Sequence, residues 1–245
     1  MDQFSRSALL IGREGVEKLG RARVALFGVG GVGGYVAEAL ARSGVGAIDL
    51  YDPDTVSLTN LNRQIVALHS TLGLPKAEVM ARRLRDINPA VAVTAHPLFY
   101  LPENAEQVDL SSYDYIADAI DTVTGKIQLV LQAREAGTPI ISAMGTGNKL
   151  DPAALRVADI SETRVCPLAR VMRKELRRRG VEHLKVVYSE EKPLIPLENP
   201  AELAGSARRS IPGSTAFVPG AAGLLLASAV VRDLTEGLRR EERMP

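Results

Sequence analysis

VALFGVGGVGGYVAEALARSGVGAIDLYDPD, running from Val24 to Asp54, is the stretch whose reading decides the fold. Val24 to Phe27 is a short apolar run of strand length, and a glycine turn follows it. A helical pattern then ends near Ser43 and Gly44, and a second strand, Ala47 to Tyr51, closes on an acidic residue. Gly28, Gly30 and Gly33 satisfy G-x-G-x-x-G in the strand, turn, helix setting that the motif needs. Backbone amides and a helix N-terminus then face phosphate oxygens, which defines a nucleotide site. Asp52 stands 19 residues after Gly33 at the tip of the second strand, where a carboxylate accepts protons from both ribose hydroxyls. That arrangement suits NAD and ATP equally.

The following residues separate the two nucleotides. DPDTVSLTNLNRQ places Asp54, Asn60, Arg63 and Gln64 within a short loop, and Lys76 opens the next helical pattern. Hydride transfer needs an apolar slot for nicotinamide, whereas displacement at phosphorus needs cations and donors around the phosphates. Asn60, Arg63 and Lys76 meet the second need. Loss of Lys76 would be tolerated by an NAD-dependent oxidoreductase, and loss of both Arg63 and Lys76 by a nucleotide-sensing scaffold without turnover.

Working outward, strands alternate with helices: Gly34 to Arg42, Lys76 to Asp86, Val91 to His96, Tyr113 to Asp118, Gly125 to Ala136 and Pro139 to Ala143. The alternation predicts an α/β fold of Rossmann type with a mostly parallel sheet. Ligands then bind beyond the carboxyl ends of the strands, where Gly28, Asp52 and the turn from Asp118 to Asp121 converge. Gln3 to Leu19 reads as one or two short helices carrying Arg6 and Arg13. After Met144, Leu155 to Ile160 and Leu184 to Tyr188 read as strands flanking a helix from Pro167 to about Arg179, in a mixed or antiparallel extension. Ser189 to Ser214, with four prolines, reads as a long surface loop. The apolar run Ala216 to Val231 closes the core as a helix ending near Leu238, before a charged tail, RREERMP. Residues 1–150 thus read as an N-terminal arm and a Rossmann-like nucleotide-binding domain, and 151–245 as an extension completing the same domain.

The chain has 245 residues, 46% hydrophobic and 24% charged, enough for one substantial core. A formal charge of +1 leaves nucleic-acid contact to a local patch rather than a bulk field. Such a patch is available where Arg170, Arg173, Lys174 and Arg177 recur at helical spacing, with Arg178, Arg179 and Lys185 close by. The small number of aromatics, four Phe and six Tyr, argues against extensive base stacking. Cys166 is the single cysteine, which excludes an internal disulfide or paired C-x-x-C zinc site and fits a reducing cytoplasm; it reads as a half-buried structural thiol. The N-terminus has charges through its apolar stretch, unlike a signal peptide, and the run Ala216 to Val231 is too short for a membrane span.

The ordered set FGVGGVGGYVAEALARSGVG, DPDTVSLTNLNRQ, GLPKAE and ADAIDT resembles the ThiF/MoeB/HesA superfamily of adenylating enzymes related to ubiquitin-activating enzymes. The second half, RVCPLARVMRKELRRRGVEHLKVVYSEEKP and GSTAFVPGAAGLLLASAVVRDL, resembles the branch that cyclises threonylcarbamoyladenosine in tRNA. The resemblance implies ATP-dependent conversion of a carboxylate to an acyl-adenylate, with ATP and Mg2+ as cofactors, followed by ring closure and release of AMP. By the same resemblance Gly28, Gly30, Gly31 and Gly33 cradle the nucleotide and Asp52 binds the ribose. Asn60, Arg63 and Lys76 contact the phosphates with Gln64 in support, and Asp121 holds magnesium. Arg6, in FSR, matches an arginine that reaches the partner subunit's site. The implied partners are tRNA carrying threonylcarbamoyladenosine, a second copy of the chain as homodimer, and a sulphur-transfer or cysteine desulphurase system. The alternative within the superfamily activates the C-terminal Gly-Gly of a sulphur-carrier protein. Members of that kind often carry two C-x-x-C pairs, and ubiquitin-activating enzymes carry a catalytic cysteine in an added domain; both features are missing from this sequence.

Overall fold

A computed structural model describes residues 2–198 and 212–237. Seven strands form one sheet: β1 (Arg23–Phe27), β2 (Ala47–Tyr51), β3 (Ala92–His96), β4 (Tyr115–Asp118), β5 (Ile140–Ala143), β6 (Leu155–Asp159) and β7 (Lys185–Ser189). Their spatial order is β3-β2-β1-β4-β5-β7-β6, parallel from β3 through β7, with β6 antiparallel to β7 at the far edge. Strands β1, β2, β4 and β5 are almost continuously buried, as both faces of a parallel sheet require, while the edge strands β3 and β6 each have a single buried residue. The two strands expected in the second half therefore extend the same sheet, one of them in parallel.

Among the described residues six helices flank it: α1 (Ser5–Arg21), α2 (Gly33–Ser43), α3 (Lys76–Ile87), α4 (Val123–Ala136), α5 (Pro167–Arg177) and α6 (Phe217–Leu234). One face of the sheet packs against α2, α3 and α6 through Val36, Leu40, Met80, Leu84, Leu226 and Val230. The opposite face is covered by α4 and α5, with Leu129, Ala133, Met172 and Leu176 inward. The helical arm α1 is broken at Gly12, which takes a left-handed φ of 75°, so the two short segments share one element. α6 has the length and hydropathy of a membrane span, but half of it is buried against α2 and the sheet. It ends at Leu234, four residues earlier than the sequence pattern placed it. Of the loop expected over Ser189 to Ser214, residues 190–198 and 212–214 carry no regular helix or strand, while 199–211 lie outside the described residues, as does the tail from 238.

The chain runs β1, β2, β3 toward one edge and then returns through β4 and β5 toward the other, so the order reverses between β1 and β4. Loops leaving the carboxyl ends of these two strands splay apart there and open a crevice.

Candidate functional site

The crevice is floored by the glycine turn. Gly28 follows β1 with φ 88°, and its amide donates to Tyr51 O at 2.8 Å. A Cβ on Gly28 would stand 2.7 Å from Ala119 O, and one on Gly33 would stand 1.7 Å from Gly28 O. Those two positions admit no side chain, whereas a Cβ on Gly30 would meet nothing nearer than Gln64 Nε2 at 3.9 Å. The turn is thus packed tightly below and left open above, as backbone approach to a phosphate requires. Gly31 faces Arg63 Cγ and Pro219 Cβ, so the start of α6 closes one side.

Asp52 extends from β2 and is buried. Its Oδ2 accepts the Val29 amide at 2.6 Å and its Oδ1 accepts the Asp54 amide at 2.9 Å, which ties the end of β2 to the glycine turn. Burial pushes the Asp52 carboxyl above its ordinary range, opposed by the Val29 hydrogen bond and the Lys76 charge. Asp54 Oδ2 lies 2.8 Å from Lys76 Nζ, and the Asp54 carbonyl accepts the Lys76 amide. Lys76, at the first turn of α3, is buried with its ammonium directed toward the Asp52–Asp54 loop.

Asn60 is buried and its Oδ1 accepts the Ser57 amide, organising the loop. Arg63 donates to Thr59 O and Asn62 Oδ1 and has no carboxylate partner among the described residues, leaving its charge available. The Gln64 side chain is buried and its Oε1 has no hydrogen-bond partner among the described residues. An orphaned acceptor beside an open glycine turn fits a bound group with a donor, which a nucleotide supplies.

The two candidate aspartates after β4 separate clearly. Asp118 is fully buried, bonded to Lys126 Nζ at 2.9 Å, to Ser142 Oγ, and to the Ile120 amide at 3.1 Å. It shapes the turn. Asp121, after the end of β4, is exposed and among the described residues is bonded only to Thr122 Oγ1, so its carboxylate remains open to a cation. No group of three or more metal-type side chains exists among the described residues, and a site there must draw most of its ligands from phosphate and water.

Arg6 stands apart. Its neighbour Phe4 packs on Gly44, and Gln3 bonds Asn88, both at the amino-end edge of the sheet. α2, of 11 residues and so about 16 Å long, separates that edge from the glycine turn. Arg6 therefore does not join its own chain's crevice.

The basic residues on α5 and between it and β7 divide. Arg173 is tied to Ile160 O and Thr163, Arg178 and Arg179 pair with Glu175, and Lys185 pairs with Asp233. Arg170, Lys174 and Arg177 are exposed without acidic partners among the described residues. Cys166 is buried fully rather than by half, against Gly145 at the start of α5. Sequence reading passed over Lys126, Ser142 and Lys149, because a lysine in an amphipathic helix or a polar loop normally points to water. No spacing signal marks their burial.

The model of the ThiF family matches residues 4–241. The tRNA threonylcarbamoyladenosine dehydratase of Bacillus subtilis is 44% identical over 245 residues, spanning 97% of this chain and 96% of that protein. The crystal structure of Escherichia coli tRNA N6-threonylcarbamoyladenosine dehydratase in complex with ATP superposes with a TM-score of 0.86 at 34% identity, covering 98% of this chain and 96% of that one. A sulfur carrier protein adenylyltransferase of Thermus thermophilus is 36% identical, but over only 58% of this chain and 52% of its own length. A match running from the N-terminal arm through α6 embraces both the glycine turn and the second half of the sheet, and the chain belongs to the ThiF family.

Proposed function

We propose that the chain is an ATP-dependent tRNA threonylcarbamoyladenosine dehydratase. The observation that carries this reading is the near full-length correspondence with the Bacillus relative, where likeness to the carrier-protein adenylyltransferase covers 58% of the chain. In the reaction, a carboxylate oxygen of the threonyl group attacks the α-phosphorus of ATP, pyrophosphate leaves, and an acyl-adenylate forms. Intramolecular attack on the activated carbonyl then closes a ring and expels AMP. The nucleoside loses one water overall.

The chain's own groups meet the demands of the first step. Two anions must approach, and that repulsion is offset by cations held in fixed positions. Lys76 is anchored by Asp54 and Arg63 by Thr59 O, so both charges are in place before substrate arrives. Asp52 receives the ribose hydroxyls, and Asn60 and Gln64 line the phosphate side. Asp121 suits Mg2+, which takes one or two carboxylates together with phosphate oxygens and would neutralise charge on the phosphates. Arg6 would serve the second subunit of a homodimer. The free cations Arg170, Lys174 and Arg177 offer a line of contacts to tRNA phosphates. A cytoplasmic setting follows from this substrate.

The test is AMP release from ATP and magnesium with tRNA carrying threonylcarbamoyladenosine, against unmodified tRNA. Release with the modified tRNA alone, accompanied by a nucleoside lighter by one water, is the expected result. AMP release triggered instead by a Gly-Gly carrier tail would sink the reading.

A further inference from the structure

Among the buried lysines, Lys76 and Lys126 each hold a carboxylate, at 2.8 and 2.9 Å. Lys149 does not. It is 3% exposed, its Nζ donates to the Gly145 carbonyl at 2.9 Å, and no carboxylate lies within ion-pair distance among the described residues. An ammonium carries three donors, and burying it without an opposite charge is costly. A group of this kind persists where an anion arrives to meet it.

Its surroundings point to which anion. Lys149 lies in the loop that follows β5, and β5 stands two strands from β1, so roughly 10 Å separates the carboxyl ends of those strands. The preceding residue, Asn148, holds a left-handed φ of 57°, a strained conformation for a side chain other than glycine. It is fixed there by two bonds to Gly213, amide to carbonyl at 2.7 Å and Oδ1 from the Gly213 amide at 2.6 Å. Next to Gly213, Ser214 O accepts from Asn62 Nδ2 at 2.8 Å, and Asn62 in turn accepts from Arg63. The Thr215 hydroxyl is buried without a partner. Hydrogen bonds and the short segment Gly213–Ser214 therefore join the Lys149 loop to the loop of Asn62 and Arg63, and the two orphaned side-chain polar atoms in the described fold, Thr215 Oγ1 and Gln64 Oε1, sit next in sequence to Ser214 and Arg63.

We propose that Lys149 is the cation that receives the substrate's threonyl carboxylate, with Asn148 and the Thr215 hydroxyl shaping the pocket on the side of the crevice away from the nucleotide. The inference rests on the dehydratase reading and names its acyl-substrate site. The phosphates already have Arg63 and Lys76, whereas the attacking carboxylate has no other buried cation on the second-half side. Holding it there places the nucleophile; Lys149 does not exchange a proton or form a bond.

The experiment compares the intact protein with Lys149→Met in four measurements: ATP affinity, thermal midpoint, KM for modified tRNA, and kcat. The thermal midpoint should hold or rise, because an apolar chain replaces an unpaired buried charge. ATP affinity should stay within about twofold, while KM for modified tRNA should rise about 30-fold, the scale of truncating one partner of a buried charge pair. Lys149→Arg should recover part of that loss. Unchanged KM and kcat in Lys149→Met would overturn the proposal. So would weakened ATP binding of equal size, which would assign the lysine to the nucleotide. If Lys149→Met unfolds and Lys149→Gln restores both fold and KM, the lysine is structural and the proposal fails. Inactivity of the unaltered protein on modified tRNA would overturn the dehydratase reading, and this inference with it.

Discussion

At the scale of single residues, the crevice is built by tying side chains to the backbone of the glycine turn. Asp52 shows what this costs and what it achieves. Its carboxylate is buried, accepts two amides, and has its proton affinity raised chiefly by desolvation. A carboxyl whose folded-state pKa lies above the unfolded value of roughly 3.9 contributes stability that is full below that value and lost as pH climbs through the folded one. The nucleotide-free protein therefore loses stability across that acidic window, while its capacity to accept ribose protons grows. ATP affinity should accordingly fall when pH is lowered into the window. Asp52→Asn should weaken ATP binding by about 1.5–3 kcal/mol, the worth of hydrogen bonds to a charged group, and should flatten that pH dependence. Titrations of ATP into both proteins from pH 4 to 7 check this; equal affinity at neutral pH would remove Asp52 from the ribose site. Asp52 was legible from spacing alone. Lys126 and Lys149 were not, since their burial is decided by tertiary packing and a helical or loop lysine carries no sequence mark of it.

At the scale of elements, the second half of the chain bears on the glycine turn through α6. A Cβ at Gly223 would stand 2.3 Å from Val32 O and 2.8 Å from Tyr35 Cβ, which shows how closely α6 crosses α2. The same helix meets Gly31 through Pro219, so its position sets one wall beside the glycine turn. Gly223→Ala should then cost about 1–3 kcal/mol through overpacking and lower the thermal midpoint by roughly 2–4 °C per kcal/mol in a chain of this size. ATP affinity should fall with it. Ser228→Ala, on the exposed side of α6, should alter neither quantity. Calorimetry with and without ATP reads both effects, and a Gly223→Ala protein with unchanged midpoint would mean that the two helices can separate freely. The strands and helices up to β5 could be read from hydrophobic periodicity, because a parallel sheet buries whole runs. The parallel course of β7 beside β5 was not readable, since strand pairing across a crossover depends on contacts far apart in sequence.

At the scale of the whole molecule, Arg6 is the one candidate that a single chain cannot bring to the crevice, being held at the amino-end edge by Phe4 on Gly44 and Gln3 on Asn88. Its role thus requires a second copy with two-fold symmetry, in which each arm crosses to the other site. The exposed Leu9 and Leu10 on the same arm, 85% and 83% accessible, give such a crossing an apolar surface to bury. Arg6→Ala alone should lower kcat by about 2.7–4 kcal/mol of barrier, as loss of one charge-stabilising donor does, and Lys76→Met should do the same. Co-expressed or exchanged together, they form mixed dimers in which one site has Lys76 from the first chain and Arg6 from the second, intact in both. Random mixing of equal amounts should then recover about a quarter of wild-type turnover, while either variant alone stays inactive. Absence of recovery from verified mixed dimers would confine Arg6 to its own chain, and a protein that sediments as a monomer at working concentration would deny it any place in the site.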